Sequence, residues 1–399
     1  MWTTKNRTST RVGRIGLATG VLITTTLVGC GKSEDEGVPD AGCIPSGSAM
    51  SIAVGARANS PVPAVPLLVE QLARSAARAG KGVSIIQIDG RIDVDLPEQF
   101  FTSKAGNPNK YDKDLDKWIR GLHDWIGNMR ADEPEADVLK ALDVAGAHAK
   151  AGGTVVLMDS GLQTRPPLDF SEDGLLEADP ATVVDYLRKI DSLPDLHERN
   201  VLMVGLGDTA PPQAELDIAS RRNLIAIWTE IAKAAGASCI ELREMSPGVA
   251  TPGEMPPVRL VPVPVATFPS KALCTEWVLR DRGALGFHRD SAAFRDPAAA
   301  RNALASLADE LKSAPGARVE LIGTTSSAGT ERGRQLLSED RAAAVARILV
   351  ELGVPAGRIT SRGVGANWPN RVPDRGPNNE LLPGPAARNR SVVVRVTCP

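Results

Sequence analysis

The sequence predicts an α/β doubly wound domain, followed beyond a proline-rich break by a second domain. Three observations lead there. Continuous Val/Ile/Leu-rich runs of strand length alternate with segments of helical period over roughly the first 245 residues. Prolines then crowd residues 246–272. A fresh set of short apolar runs, glycine turns and amphipathic stretches occupies 273–399.

In the first domain, taken as residues 47–245, the runs Ser51–Ala56, Val83–Ile88, Thr154–Met158, Val201–Leu206 and Ser238–Leu242 have no polar alternation, as expected of parallel strands covered on both faces. Between them Val65–Ala79, Ala136–Lys150, Ala181–Ile190 and Gln213–Ala235 carry apolar residues three and four apart, the spacing of helices with one buried face. Such alternation builds a sheet with helices on both sides. Arg91–Leu96 breaks it: this segment follows Ile88-Asp89-Gly90 across a tight turn with a period of two, so an antiparallel edge strand with an outward charged face is expected.

Net charge is −2 and aromatics make up 4% of the residues, which gives no basic surface and argues against a nucleic-acid partner. No P-loop, Gly-x-Ser-x-Gly elbow or His-Glu-x-x-His is present, so no enzyme and no cofactor is expected. Ser160 follows a strand and precedes a glycine, but its neighbours do not suit a nucleophile turn and no histidine is locally paired with it. Gly205-Leu206-Gly207-Asp208 reads as an ordinary strand-to-helix turn. His123, His148, His197 and His288 read as surface or packing residues, and Trp118, Trp125 and Trp228 as core.

Lys5, Arg7, Arg11 and Arg14 precede an apolar stretch, Ile15–Val28, too short to span a membrane stably. Residues 1–29 are expected to be an export signal. It ends in Leu27-Val28-Gly29-Cys30, which resembles a bacterial lipobox. That resemblance implies cleavage before Cys30, lipidation of its thiol, and a polar tether over residues 30–46. No later run is long enough to cross a membrane. The expected location is therefore the cell envelope, with the lipid as anchor and, in a diderm cell, the outer membrane.

Residues from about Leu285 to Val396 resemble the OmpA-like peptidoglycan-binding family. The elements that carry the resemblance are Phe287 with Asp290-Ser291-Ala292, an amphipathic helix, the loop Gly323–Gly329, and Leu337-Ser338-Glu339-Asp340-Arg341-Ala342. Gly353-Val354 with Arg358-Ile359, Gly363-x-Gly365 with Pro369, and Asn389-Arg390 follow in the family's order. The resemblance implies an α+β domain ordered β-α-β-α-β-β. Its expected partner is the diaminopimelate side chain of a peptidoglycan stem peptide. Arg341 matches the arginine that holds the ligand's carboxylate, beside Thr324, Thr325, Ser326 and Ser327 with their backbone N–H groups, and near Asn389 and Arg390. The family's loop aspartate, which holds the ligand's ammonium, falls on Ser326. Glu331 is the residue placed to substitute for it. From spacing alone Arg341 reads as a surface helix residue paired with Glu339 or Glu351, and the alternative function is an adaptor whose domain no longer binds wall and serves only as scaffold.

The first domain resembles the von Willebrand factor type A fold. Its hairpin after the second strand, Asp137-Val138-Leu139 and Met158-Asp159-Ser160-Gly161-Leu162 carry that resemblance. The first metal loop departs from the pattern, reading Gly55-Ala56-Arg57-Ala58-Asn59-Ser60. With a guanidinium in place of the leading carboxylate, no metal is expected. An unidentified protein is the expected partner of this domain.

With Cys30 assigned to lipid, Cys43, Cys239, Cys274 and Cys398 remain, an even set that allows three disulfide pairings. Cys43 and Cys239 bracket the first domain, and Cys274 and Cys398 the second, which favours Cys43–Cys239 with Cys274–Cys398. Metal ligation is the rival, although no Cys-x-x-Cys pair exists.

Overall fold

The computed structural model describes residues 40–244, 253–263, 273–281 and 283–399. The expected signal, Cys30, most of the tether and most of the proline-rich segment lie outside them. From Asp40 on the described chain packs as one compact unit built of two lobes.

The first lobe contains β1 (Met50–Val54), α1 (Leu67–Arg78), β2 (Val83–Gln87), β3 (Asp93–Gln99), α2 (Pro108–Asn128), α3 (Val138–Ala149), β4 (Thr154–Met158), α4 (Pro180–Lys189), β5 (Asn200–Val204), α5 (Ile218–Ala234) and β6 (Cys239–Arg243). The strands form one sheet ordered β3-β2-β1-β4-β5-β6, parallel except for β3. Every residue of β1, β2, β4 and β5 is buried, because alternate side chains serve two separate cores. Ile52, Val54, Ile85, Val156 and Leu202 meet α1 and α2, whereas Ala53, Ile86, Leu157, Val201 and Met203 meet α3, α4 and α5. The antiparallel strand lies at the sheet edge, with Asp93, Asp95 and Pro97 exposed.

Helix α2 has no counterpart in the sequence reading. Asn107 caps it, accepting from Lys110 N at 2.9 Å, and Pro108 opens it. Leu115, Ile119, Leu122 and Ile126 form its buried stripe. Trp125 is 44% exposed and donates to Asp95 at 2.6 Å, so it is not the core residue expected, whereas Trp228 is fully buried.

The second lobe contains β7 (Glu276–Arg280), α6 (Pro297–Ser313), β8 (Arg318–Thr324), α7 (Glu331–Glu351), β9 (Ile359–Gly363), α8 (Pro383–Asn389) and β10 (Ser391–Thr397). Its sheet runs β7-β10-β8-β9, with β10 antiparallel to both neighbours and β8 parallel to β9. Helices α6 and α7 cover its apolar face through Leu304, Leu307, Leu311, Val345 and Leu349. The additional helix α8 precedes the last strand, so Asn389 ends a helix rather than opening a strand.

Both favoured disulfides form, Cys43–Cys239 and Cys274–Cys398. Residues 257–261, expected within an extended spacer, lie against the first lobe. Glu135 N donates to Pro257 O at 3.1 Å, and Val261 and Gln213 exchange bonds of 2.7 and 2.9 Å.

Candidate functional site

Helix α7 approaches its sheet closely at Ser338. A Cβ on Gly323 of β8 would lie 1.9 Å from Ser338 O, and one on Gly363 of β9 2.3 Å from Ser338 Oγ. Glycine at both positions lets the helix backbone approach the strands, and the approach buries Ser338 and Arg341. Arg341 is left 4% exposed.

Its guanidinium points at the segment between β7 and α6. Nη1 lies 3.2 Å from Asp281 Oδ2, Nε donates to Ser291 O at 3.0 Å, and Nη2 to His288 O at 3.4 Å. The same group stacks over the Phe287 ring, 4.8 Å from its centroid. Asp281 also accepts from Phe287 N at 2.6 Å and faces Arg295 Nη2 at 3.8 Å. Its own N–H donates to Arg390 O at 3.0 Å, which brings the end of α8 to the cluster.

Guanidiniums and carboxylates therefore stand close together, Arg341, Arg390 and Arg295 beside Asp281 and Asp290. Burial pushes the Arg341 pKa below its ordinary value; Asp281 opposes this, while Arg390 and Arg295 add to it. Burial likewise lowers Arg390, with Asp281 and Asp179 opposing and Arg289 adding.

The remaining residues of the expected site form a different cluster. Thr324 Oγ1 bonds to Asn389 O at 2.7 Å and to Ser391 Oγ at 2.8 Å. Thr325 N donates to Gly365 O at 2.9 Å, and Ser327 N to Asp374 Oδ2 at 2.8 Å. Ser326 is only 3% exposed. Asn389 clamps Val372 through both its amide atoms, and its Nδ2 also donates to Asp374 at 3.0 Å. The expectation that Arg341 faces open donors of the 324–327 loop is thus corrected: the guanidinium is held by Asp281, and the Thr325 and Ser327 N–H groups are already bonded.

Neither Glu339 nor Glu351 holds Arg341, since Glu339 accepts from Gln335 and Glu351 pairs with Arg301. Glu331 is exposed at the start of α7, and among the described residues no bond joins it to Ser326. The carboxylate at the loop is instead Asp374, which is fully buried and also paired with Arg371. Sequence reading missed both Asp281 and Asp374. The Asp281 signal was an acid ending the alternating strand Glu276–Arg280; Asp374 sits in a proline-rich loop with no period to mark it.

At the carboxyl ends of β1 and β4, Arg57 lies 2% exposed against Asp159 and Ser160. It grips Asp159 with both terminal nitrogens, Nη2 reaching Oδ1 at 3.0 Å, and reaches Ser160 Oγ at 3.3 Å. Asp159 Oδ1 also accepts from Gly161 N at 2.7 Å. Asp137 caps α3, accepting from Lys140 N at 3.1 Å. Among the described residues one group has metal-ligand spacing, Cys43, Cys239 and Glu241, and its sulfurs are joined in a disulfide.

Compared with known families, the second lobe matches the OmpA family model over residues 286–379. This stretch is an OmpA family domain. The match starts beside Phe287, at the floor of the Arg341 cluster, and takes in β8, α7 and β9. Solved structures similar to part of the chain include the cell wall anchor of the T6SS from Pseudomonas aeruginosa, 27% identical over 31% of this chain and 80% of its own, with a TM-score of 0.25. The peptidoglycan-associated lipoprotein from Burkholderia pseudomallei is 24% identical over 30% of this chain and 87% of its own, with a TM-score of 0.23. The OmpA-like domain of FopA1 from Francisella tularensis is 25% identical over 31% and 72%, with a TM-score of 0.23. No curated protein matches the chain. No helix among the described residues is long and apolar enough to cross a membrane.

Proposed function

We propose that this is a non-enzymatic envelope protein whose OmpA family domain binds peptidoglycan, and that a lipid on Cys30 holds its other end to a membrane. The observation that carries the binding half lies within and beside the matched domain. Arg341 and Arg390, both depressed in basicity by burial, lie close together, Arg341 paired with Asp281 and Arg390 bonded to Thr182, with Asp179 and Asp290 nearby. Closely spaced buried guanidiniums suit an incoming anion that displaces one of their own carboxylates, and a stem-peptide carboxylate supplies one with planar, bidentate geometry. With Ser326 at the family's aspartate position and Asp374 already bonded, the ammonium half of a diaminopimelate ligand receives less than the carboxylate half. In this reading the first lobe is a von Willebrand factor A-like interaction module. Its sheet order and the antiparallel β3 support that, and Arg57 supplies from within the chain the positive charge a metal would bring.

Cosedimentation of the full-length protein with purified sacculi tests this. Binding is expected, and Arg390→Gln, at the edge of the cluster, is expected to weaken it by about tenfold, the scale of one charge-assisted hydrogen bond. Binding that ignores substitution at both Arg390 and Arg341 would remove this site.

One observation favours a second reading. Arg341 is already satisfied by Asp281, His288 and Ser291, and the 324–326 loop is buried. A domain serving only as scaffold for an adaptor would have these features, and it would leave sacculi unbound.

A further inference from the structure

The first lobe meets the OmpA-bearing lobe at the Arg341 cluster, through charges. Arg289, in the loop whose carbonyls hold Arg341, lies 3.5 Å from Asp185 and 3.8 Å from Asp179 of the first lobe. Arg390 donates to Thr182 Oγ1 at 3.2 Å, and that hydroxyl bonds in turn to Asp179 at 3.1 Å. Further along, Arg280 is bidentate on Asp173 at 2.6 and 3.1 Å, and Arg388 reaches the same carboxylate at 3.2 Å. The backbones also touch: a Cβ on Gly174 would lie 2.5 Å from Gly384 O. A cleft of about 260 Å³ lined by Phe170, Asp173, Glu177, Pro262 and Arg280 remains between the lobes.

We propose that Asp173, Asp179 and Asp185 form an ionic latch that closes the first lobe over the Arg341–Arg390 cluster, and that wall binding requires this latch to open. The proposal rests on the wall-binding reading above. The latch pins the 288–291 loop and occupies Arg390 from outside, so the two groups that would receive a carboxylate are held by the protein itself. Its ion pairs are partly exposed and therefore individually weak, and the contact surface is broken by a cleft. An anionic polymer presenting many carboxylates competes for the same arginines.

The test compares wild type with Asp173→Lys/Asp185→Lys, two positions outside the cluster, in the full-length protein. Hydrogen exchange over 180–189 and 286–292 reports the latch, and cosedimentation with purified sacculi reports binding. Faster exchange in both segments with at least about fivefold tighter binding in the variant is expected. Arg280→Glu with Arg289→Glu, added to the double variant, is expected to restore part of the slow exchange by re-forming the pairs at 173 and 185 with their signs reversed, against repulsion from Asp179. A Gly174→Ala wedge should open the contact without changing charge. Unchanged exchange in the double variant and in the wedge overturns the latch. Opening with equal, measurable binding in open and closed forms overturns the gating alone. No binding in either form overturns the wall-binding reading and the gate with it.

Discussion

Arg341 and Asp281 are joined by a single 3.2 Å contact between Nη1 and Oδ2, with both side chains almost wholly removed from solvent. Removing one partner of such a pair strands the other. Asp281→Ala is expected to lower unfolding free energy by about 3–5 kcal/mol, read from urea denaturation. Because the stranded guanidinium gains from any small anion, sulfate should raise the melting temperature of the variant more than that of wild type. Equal sulfate responses would show that the cluster has no appetite for anions.

Arg57 and Asp159 are expected to behave as one unit. Arg57→Met leaves a buried carboxylate held, among the described residues, by Gly161 N, and should cost about 3–5 kcal/mol. Asp159→Asn in the same chain should recover a large part of that loss. A double-mutant cycle on denaturant midpoints measures the coupling, and additive losses would contradict the pairing.

Asp374 gives the 324–327 loop an acid sensitivity. Burial raises its pKa, but the bonds from Ser327 and Asn389 and the charge of Arg371 outweigh this, so the folded pKa lies below the ordinary value. A depressed carboxylate stabilises the fold above its unfolded pKa of roughly 4, and that stabilisation disappears as pH falls through the lower folded value. Asp374→Asn should cost about 1.5–3 kcal/mol at pH 7. Between pH 5 and pH 2 it should lose less stability than wild type. Parallel pH profiles would rule out this anchorage.

Gly323 is the position at which a methyl group should do most damage to α7. The nearest obstacle is the main-chain oxygen of Ser338, which cannot rotate away. Gly323→Ala is expected to lift the helix, cost about 1–3 kcal/mol, and speed exchange of amides in α7. Gly329→Ala, where nothing lies within 4 Å but φ is +74°, separates backbone strain from collision.

The first lobe was largely legible because burial on both faces of a parallel strand leaves a continuous apolar run, and Val83–Gln87 and Thr154–Met158 show it plainly. The edge strand announced itself by its period of two. Helix α2 was equally written in the chain, in Asn107-Pro108 and the stripe from Leu115 to Ile126, but its charged residues dilute the pattern. The site was less legible for a different reason. Motif spacing put Arg341 on the correct helix, yet its burial and the direction of its guanidinium depend on Asp281, which is 60 residues away in sequence (281 to 341) and contributed by another element. Asp374 reaches Ser327 across 47 positions in the same way. Docking of the first lobe depends on the pairing of Arg289 with Asp185, a separation of 104 that no local period encodes.

The sulfur bridges also determine how the molecule transmits mechanical pull. Tension entering near Asp40 meets Cys43, whose bond to Cys239 leads directly to the last strand of the first sheet. The residues between those cysteines are bypassed, so the sheet they build need not unravel when the chain is stretched. In the second lobe Cys274–Cys398 ties the two ends together in the same way. Pulled at both ends, the described chain would then give way first at the contact between its lobes, and its folded halves would survive to close again.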